Sequence, residues 1–312
     1  MRVTALAGGT GAAKLLRGLV ALPDVELTII GNTGDDTEVW DLHVSPDLDT
    51  VTYALAGLLD VARGWGRRDE TFQCRDAMQA LGEATWFNIG DRDLATHLVR
   101  TAALRRGEPL SRVTAEIVRR LGVPARILPM SDDPVRTSIE TPDGPLGFQE
   151  YFVRERARAK VRDVRYEGAA SARPAPGVVD AIATADVIVV CPSNPITSIG
   201  PILAVPGIVD ALRSGPAPVV GVSPIVGDRA VSGPAGDLMR ARGVPVSVAG
   251  VARLYAPWLG TLVVDVRDPH ASATLAETGV RAVVTDTIMV DAAHERALAG
   301  SVVGGGTRLG DP

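Results

Sequence analysis

Asp35, Asp36, Asp47 and Asp49 place four carboxylates within fifteen positions, in IIGNTGDDTEVWDLHVSPDLDT (29–50). Upstream, Gly8, Gly9, Thr10 and Gly11 form a glycine-rich turn in LAGGTGAAKLLRGL (6–19), with Lys14 one helical turn further on. Missing Cβ atoms let backbone approach a ligand, and amides at a helix start face an anion, so this turn reads as a phosphate cradle. Aspartates beside such a cradle suit magnesium, which takes oxygen ligands and shares them with substrate phosphates. Asx-rich turns also cap helices, and Asp47, directly after Pro46, has the look of a cap. Asp49 precedes a helical pattern at Thr50 and suits both a cap and a ligand contact.

A third stretch, VIVVCPSNPITSIGP (187–201), sets Ser193 and Asn194 between two prolines after an apolar run, offering hydroxyl, amide and backbone donors in a stiff loop. VSPIVGDRAVSGPAG (222–236) repeats the theme. In GDRDLATH (90–97), Asp93 and His97 lie four apart on one helix face, which reads as a hydrogen-bonded pair rather than a catalytic dyad. A dinucleotide fingerprint fails: Lys14 holds its third glycine place, and the second strand ends in Asn32 rather than an acid for the ribose. No GxSxG elbow occurs, Cys191 ends a buried run, and the four histidines lack metal-ligand spacing.

The elements that must position these residues follow from periodicity. VTALA (3–7), a helix over AAKLLRGLVAL (12–22) and VELTIIG (25–31) make a βαβ opening. DVIVVC (186–191), PVVGVSP (218–224), PVSVAG (245–250), TLVVDV (261–266) and AVVTDT (282–287) read as further strands, separated by helix-length segments. The fold class is therefore α/β, a doubly wound, mostly parallel sheet, and the chemistry belongs at the strands' carboxyl ends. Residues 1–49 and 174–304 form this core. Residues 50–173 read as an insertion: helical to about 122, beginning with TVTYALAGLLDVARGW, then RILPMS (126–131) and VRTSIETPDGPLGFQEYFV (135–153) as strands with a DG turn. Residues 305–312, GGTRLGDP, read as a flexible tail.

The 312 residues are 46% hydrophobic and 22% charged, enough for a sizeable core. A net charge of -5 with scattered arginines excludes a nucleic-acid footprint. Two cysteines are too few for a disulfide framework, and no run reaches the ~18–20 apolar residues of a membrane helix. A cytoplasmic protein acting on small molecules is expected, with no membrane and no nucleic-acid partner.

Seven motifs in order, GGTGAAKLLRGL, SPDLDTVTYALAGLLD, RGWGRRDETF, GDRDLATH, LPMSDDPVRTSIET, PSNPITSIGPILAVPGI and VSPIVGDRAVSGPAG, resemble the 2-phospho-L-lactate transferases of coenzyme F₄₂₀ biosynthesis and their enolpyruvyl-transferring bacterial relatives. The resemblance implies a Rossmann-like core with a helical cap, a magnesium requirement and a homodimer. It implies transfer of a phosphoryl group bearing lactyl, enolpyruvyl or glyceryl from a guanosine diphosphate ester to the ribityl hydroxyl of the deazaflavin Fo, releasing GMP. On that basis Asp35 and Asp49 are the candidate catalytic and metal residues. Asp49 and Asn88 are the candidate Fo contacts, Asn88 standing where the family often has lysine. Gly9, Thr10, Gly11, Lys14, Asn32, Ser193 and Asn194 are the candidate phosphate and nucleotide contacts. Trp40, Trp65, Trp86 and Phe87 fall in or near this region, where a flat tricyclic ring would stack, although core packing is the simpler use of each. A nucleotide-sugar-binding regulator without catalysis is the rival reading, since a distant family shares the GGTG turn and the following DD; SPDLDT and GDRDLATH favour the transferases.

Overall fold

The computed structural model describes residues 1–307. Seven strands, β1 (Arg2–Ala7), β2 (Glu26–Gly31), β3 (Arg126–Pro129), β4 (Val187–Val190), β5 (Val219–Val222), β6 (Thr261–Asp265) and β7 (Arg281–Thr285), form one sheet in the order β7-β6-β5-β4-β1-β2-β3. Every neighbouring pair is parallel. This is the doubly wound Rossmann order 3-2-1-4-5-6 with one strand added. The chain winds outward from β1 in one direction and, after the long excursion, from β4 in the other, so the strand order reverses between β1 and β4.

The inner strands are continuous apolar runs because both faces are covered. Alternate residues divide between two cores: Leu6, Ile30, Ile188, Val190, Leu262 and Val264 face one layer. Val3, Ala5, Ile29, Val187, Val189 and Val263 face the other, with Leu15, Leu16 and Leu19 of helix α1 (Gly9–Val20). The C-terminal helix Ala292–Thr307 lies against α1, and at Gly18 the two backbones pack so closely that a Cβ would clash with the Glu295 carbonyl oxygen. That helix carries residues 305–307 of the segment expected to be a flexible tail; the rest of that segment lies outside the described residues.

The excursion between β2 and β4 carries α2 (Pro46–Leu55), α3 (Gln73–Ala80), α4 (Asp91–Arg105) and α5 (Leu110–Arg120). α2 begins ahead of the expected boundary at residue 50 and stops at Leu55, well short of Trp65. Gly57 at φ +67° ends it, and 56–72 run as turns with Gly64 and Gly66 also left-handed. RILPMS was expected beside the sheet; instead Arg126–Pro129 is its edge strand β3, pairing with β2 from Thr28 to Gly31. The following hairpin forms as expected, Arg136–Thr141 against Gly144–Gly147, and Asp163–Glu167 joins as a third antiparallel strand. Glu150–Arg154, expected to be extended, is one wide helical turn. PVSVAG is not a strand. Ser247 accepts the Gly250 N–H at 3.1 Å and caps the helix Val248–Tyr255, so a local side-chain cap overrides β-propensity.

Candidate active site

The reversal between β1 and β4 opens a crevice at their carboxyl ends, and three loops meet there. Gly8 donates its N–H to Ser193 Oγ at 3.2 Å. A Cβ on Gly8 would lie 2.3 Å from Asp47 Oδ2, and one on Gly11 would lie 2.6 Å from the Pro192 carbonyl oxygen. Gly9 adopts φ +73°. The glycines are there because the first turn of α2, at Asp47, and the Pro192 loop close onto the start of α1 to distances no side chain tolerates. Thr10 Oγ1 donates to the Gly64 carbonyl at 2.8 Å, tying the 56–72 loop to the same turn.

The acids divide into two groups. Asp35, Asp36 and Asp47 are buried together around Asn32, which donates Nδ2 to Asp47 Oδ2 at 2.9 Å and to the Thr197 carbonyl at 3.1 Å. Burial, then the neighbouring Asp47 charge, pushes the Asp35 carboxyl well above its ordinary range. Burial is also the main cause that raises Asp47 to about 7, with Asn32 and the Gly9 N–H opposing. Asp36 Oδ2 accepts from His43 Nε2 at 2.9 Å and Ser45 Oγ at 2.8 Å. Asp35 Oδ1 and Asp36 Oδ1 are buried without a hydrogen-bond partner.

Asp49 belongs to a different arrangement. Both its oxygens are held by the Arg100 guanidinium, from Nη1 at 3.0 Å and from Nη2. Arg100 is 2% exposed and also meets His97 Nδ1 at 3.3 Å; His97 Nε2 stands 3.3 Å from Asp93, which accepts from Tyr53 Oη at 2.7 Å. The expected Asp93–His97 pair is thus one link in a buried chain joining α2 to α4.

Asn88 Oδ1 accepts from Arg75 Nη1 at 3.0 Å, so a guanidinium stands beside the asparagine. Lys14 donates to the Met289 carbonyl at 3.0 Å, toward the C-terminal segment rather than into the crevice. Asn194 accepts from the Ile196 and Thr197 amides and caps the turn Pro195–Ile199, which commits its carbonyl oxygen. Trp40 and Phe87 pack with Val39, Val44 and Ile89 in a small core. Trp65 is 38% exposed beneath Arg63.

Two clefts border the acid cluster. One, of ≈ 310 Å³, is lined by Asp35, Asp36, Thr137 and Gln149; the other, of ≈ 230 Å³, by His43, Glu108, Asp132 and Asp133. Asp36 and Arg136 line both. Of the predicted residues, Gly9, Gly11, Asn32, Asp35 and Ser193 gather at the crevice. Asp47, which resembled a cap in the sequence, is central to it, and the signal was its place in the same acidic run. Arg100 had no local signal because its partner, Asp49, is remote in the chain, and Arg136 had none because only the fold brings it to the clefts.

A family model described as 2-phospho-L-lactate transferase CofD matches residues 3–303. A phosphoenolpyruvate transferase of Streptomyces griseus is 48% identical over 308 residues, 96% of each chain. A 2-phospho-L-lactate transferase of Methanopyrus kandleri is 44% identical over 304 residues, 97% of each. In fold, the chain is similar to the crystal structure of a UPF0052-family protein of Bacillus halodurans, with a TM-score of 0.66 at 19% identity over 97% of this chain and 98% of that one. With the glycine turn, the acid cluster and the reversed strand order in one crevice, and with matches spanning nearly its whole length, the chain belongs to the 2-phospho-L-lactate transferase family and is a transferase of that kind.

Proposed function

We propose that the protein moves a phosphoryl group, with the 2-hydroxy acid or enol attached to it, from a guanosine diphosphate ester to the ribityl hydroxyl of Fo in coenzyme F₄₂₀ biosynthesis. The observation that carries this reading is the buried Asp35–Asp36–Asp47 cluster packed against the glycine turn, in a chain 48% and 44% identical to transferases of enolpyruvyl and lactyl phosphates. The higher identity makes the enolpyruvyl donor the first to try.

In this reaction the acceptor oxygen forms a bond to the distal phosphorus while the bond to GMP breaks, and GMP leaves with the bonding electrons. The hydroxyl proton must go to a base. Asp47 is the residue to receive it: its carboxyl sits at about 7, against the start of α1, where a transferred phosphate would lie. The α1 turn and Ser193 would hold phosphate oxygens, and the carboxylates need a cation between them and an anionic donor.

Magnesium is that cation in our reading, and it would neutralise charge developing on the donor's phosphates. Asp35 fits it, with a buried oxygen lacking a partner beside two other acids. Asp49 does not fit in this geometry, because Arg100 occupies both its oxygens; its part is to fix the α2–α4 wall that Fo approaches. Among the described residues no three acidic, histidine or cysteine side chains form a ready cage, so the reading requires water and the donor's phosphates to supply the remaining ligands.

The deciding experiment incubates the protein with Fo, magnesium and each of the enolpyruvyl, lactyl and glyceryl guanosine diphosphate esters, with products followed by mass spectrometry. An Fo phosphoester together with GMP is expected, dependent on magnesium and abolished by EDTA. Fo or nucleotide binding without product from any donor would overturn the reading in favour of a non-catalytic regulator.

A further inference from the structure

Arg136 is the only arginine or lysine, among the described residues, that lines either cleft beside the acid cluster, and it lines both. Its guanidinium donates to the Val135 carbonyl at 3.0 Å and makes no ion pair among the described residues. Glu167 stands directly opposite in the antiparallel ladder and still leaves it unpaired. Of the other cations near the site, Arg100 is committed to Asp49 and Arg75 to Asp76, while Lys14 and Arg67 donate to the Met289 and Arg92 carbonyls and line neither cleft. Beside Arg136 in the larger cleft, the buried Thr137 hydroxyl stands next to the Asp35 carboxyl outside regular hydrogen-bond geometry, and the buried Gln149 amide makes only a 3.4 Å bond to the Asp35 carbonyl. Asp35, Asp36, Glu38 and Glu167 share this wall, so a ligand carboxylate has one favourable seat in it.

The relatives' names describe acids, phospho-lactate and phosphoenolpyruvate, that differ in the carbon chain and share a carboxylate next to the phosphate-bearing carbon. A guanidinium fork matches that shared group and is indifferent to the rest. We propose that Arg136, with Thr137 and Gln149 beside it, binds the carboxylate of the transferred group and so sets the demand for an acid-bearing donor. This rests on the transfer reaction proposed above.

The test compares the guanosine diphosphate ester of lactate with the isopropyl ester, in which a methyl replaces the carboxylate. Calorimetric binding of both is measured for the wild type, Arg136→Gln and Arg136→Lys, alongside steady-state transfer. The wild type is expected to prefer the acid about 10- to 100-fold. Arg136→Gln should lose that preference while its KM for Fo and its melting temperature stay unchanged; Arg136→Lys, which keeps the charge without the fork, should retain part of it. An Arg136→Gln protein that still discriminates as the wild type does, or a wild type that binds both esters equally, overturns the assignment. Absence of transfer from every donor would instead count against the reaction, and the binding ratios would still decide the role of Arg136.

Discussion

Neighbouring aspartates at the site have opposite situations. Asp47 and Asp35 are buried among like charges, whereas Asp49 is buried against a cation. Asp47→Asn keeps the size and the Asn32 contact but cannot take a proton, so kcat should fall by about 10² to 10⁴; steady-state kinetics at saturating Fo measures this. Asp49→Asn should act first on stability. It strands the Arg100 guanidinium, and breaking one side of a buried pair costs about 3–5 kcal/mol. Urea unfolding should show that loss, and the double variant Asp49→Leu, Arg100→Met should recover most of it. Recovery of both stability and Fo binding is expected if Asp49 acts only through the α2–α4 wall; recovery of stability alone would show that Fo binding needs the carboxylate itself.

Among the elements, the glycine turn and the interface of α1 with the C-terminal helix use glycine for different ends. Gly18→Ala would press a methyl onto the Glu295 backbone, an overpacking worth about 1–3 kcal/mol. The melting temperature should drop while KM for the donor holds. Gly8→Ala would press a methyl onto the Asp47 carboxylate, so transfer should fall far more than stability. A Gly8→Ala protein with normal turnover would argue against Asp47 as the base. The 56–72 loop belongs at this scale too. Thr10 anchors it at Gly64, and Glu70 accepts from the Arg92 and Asp93 amides at 2.8 Å, so it bridges the cradle and the start of α4.

For the molecule as a whole, the acid cluster sets a pH dependence of stability. The folded-state pKa of Asp47, about 7, lies above its unfolded value near ~3.9. Protonation therefore favours the folded state: the contribution is complete below about pH 4 and is lost as pH rises through about 7. In EDTA, the melting temperature should be lower at pH 8 than at pH 6, and Asp47→Asn should flatten that difference. Magnesium should restore more stability at pH 8 than at pH 6, because only the ionised cluster binds it well.

Much of this was legible without coordinates, for physical reasons that differ by feature. β1, β4 and β6 are short apolar runs ended by turn residues, and such runs have one stable use, as strands buried on both faces. The glycine turn announced itself because left-handed and close-packed backbone admits little else. The amino-acid sequence alone thus determined the doubly wound class, the end of the sheet at which the glycine turn and the acids gather and, through seven ordered motifs, the family. It misplaced features whose determinant is a contact: β3 enters the main sheet by pairing with β2, and PVSVAG became a cap because Ser247 meets Gly250. Only the tertiary structure decided which aspartates stand together. Asp47 and Asp49 are two residues apart on one helix, yet one faces Gly8 and Asn32 and the other faces Arg100 from α4. A residue's charge state depends on what surrounds it in space, and spacing along a chain does not record that.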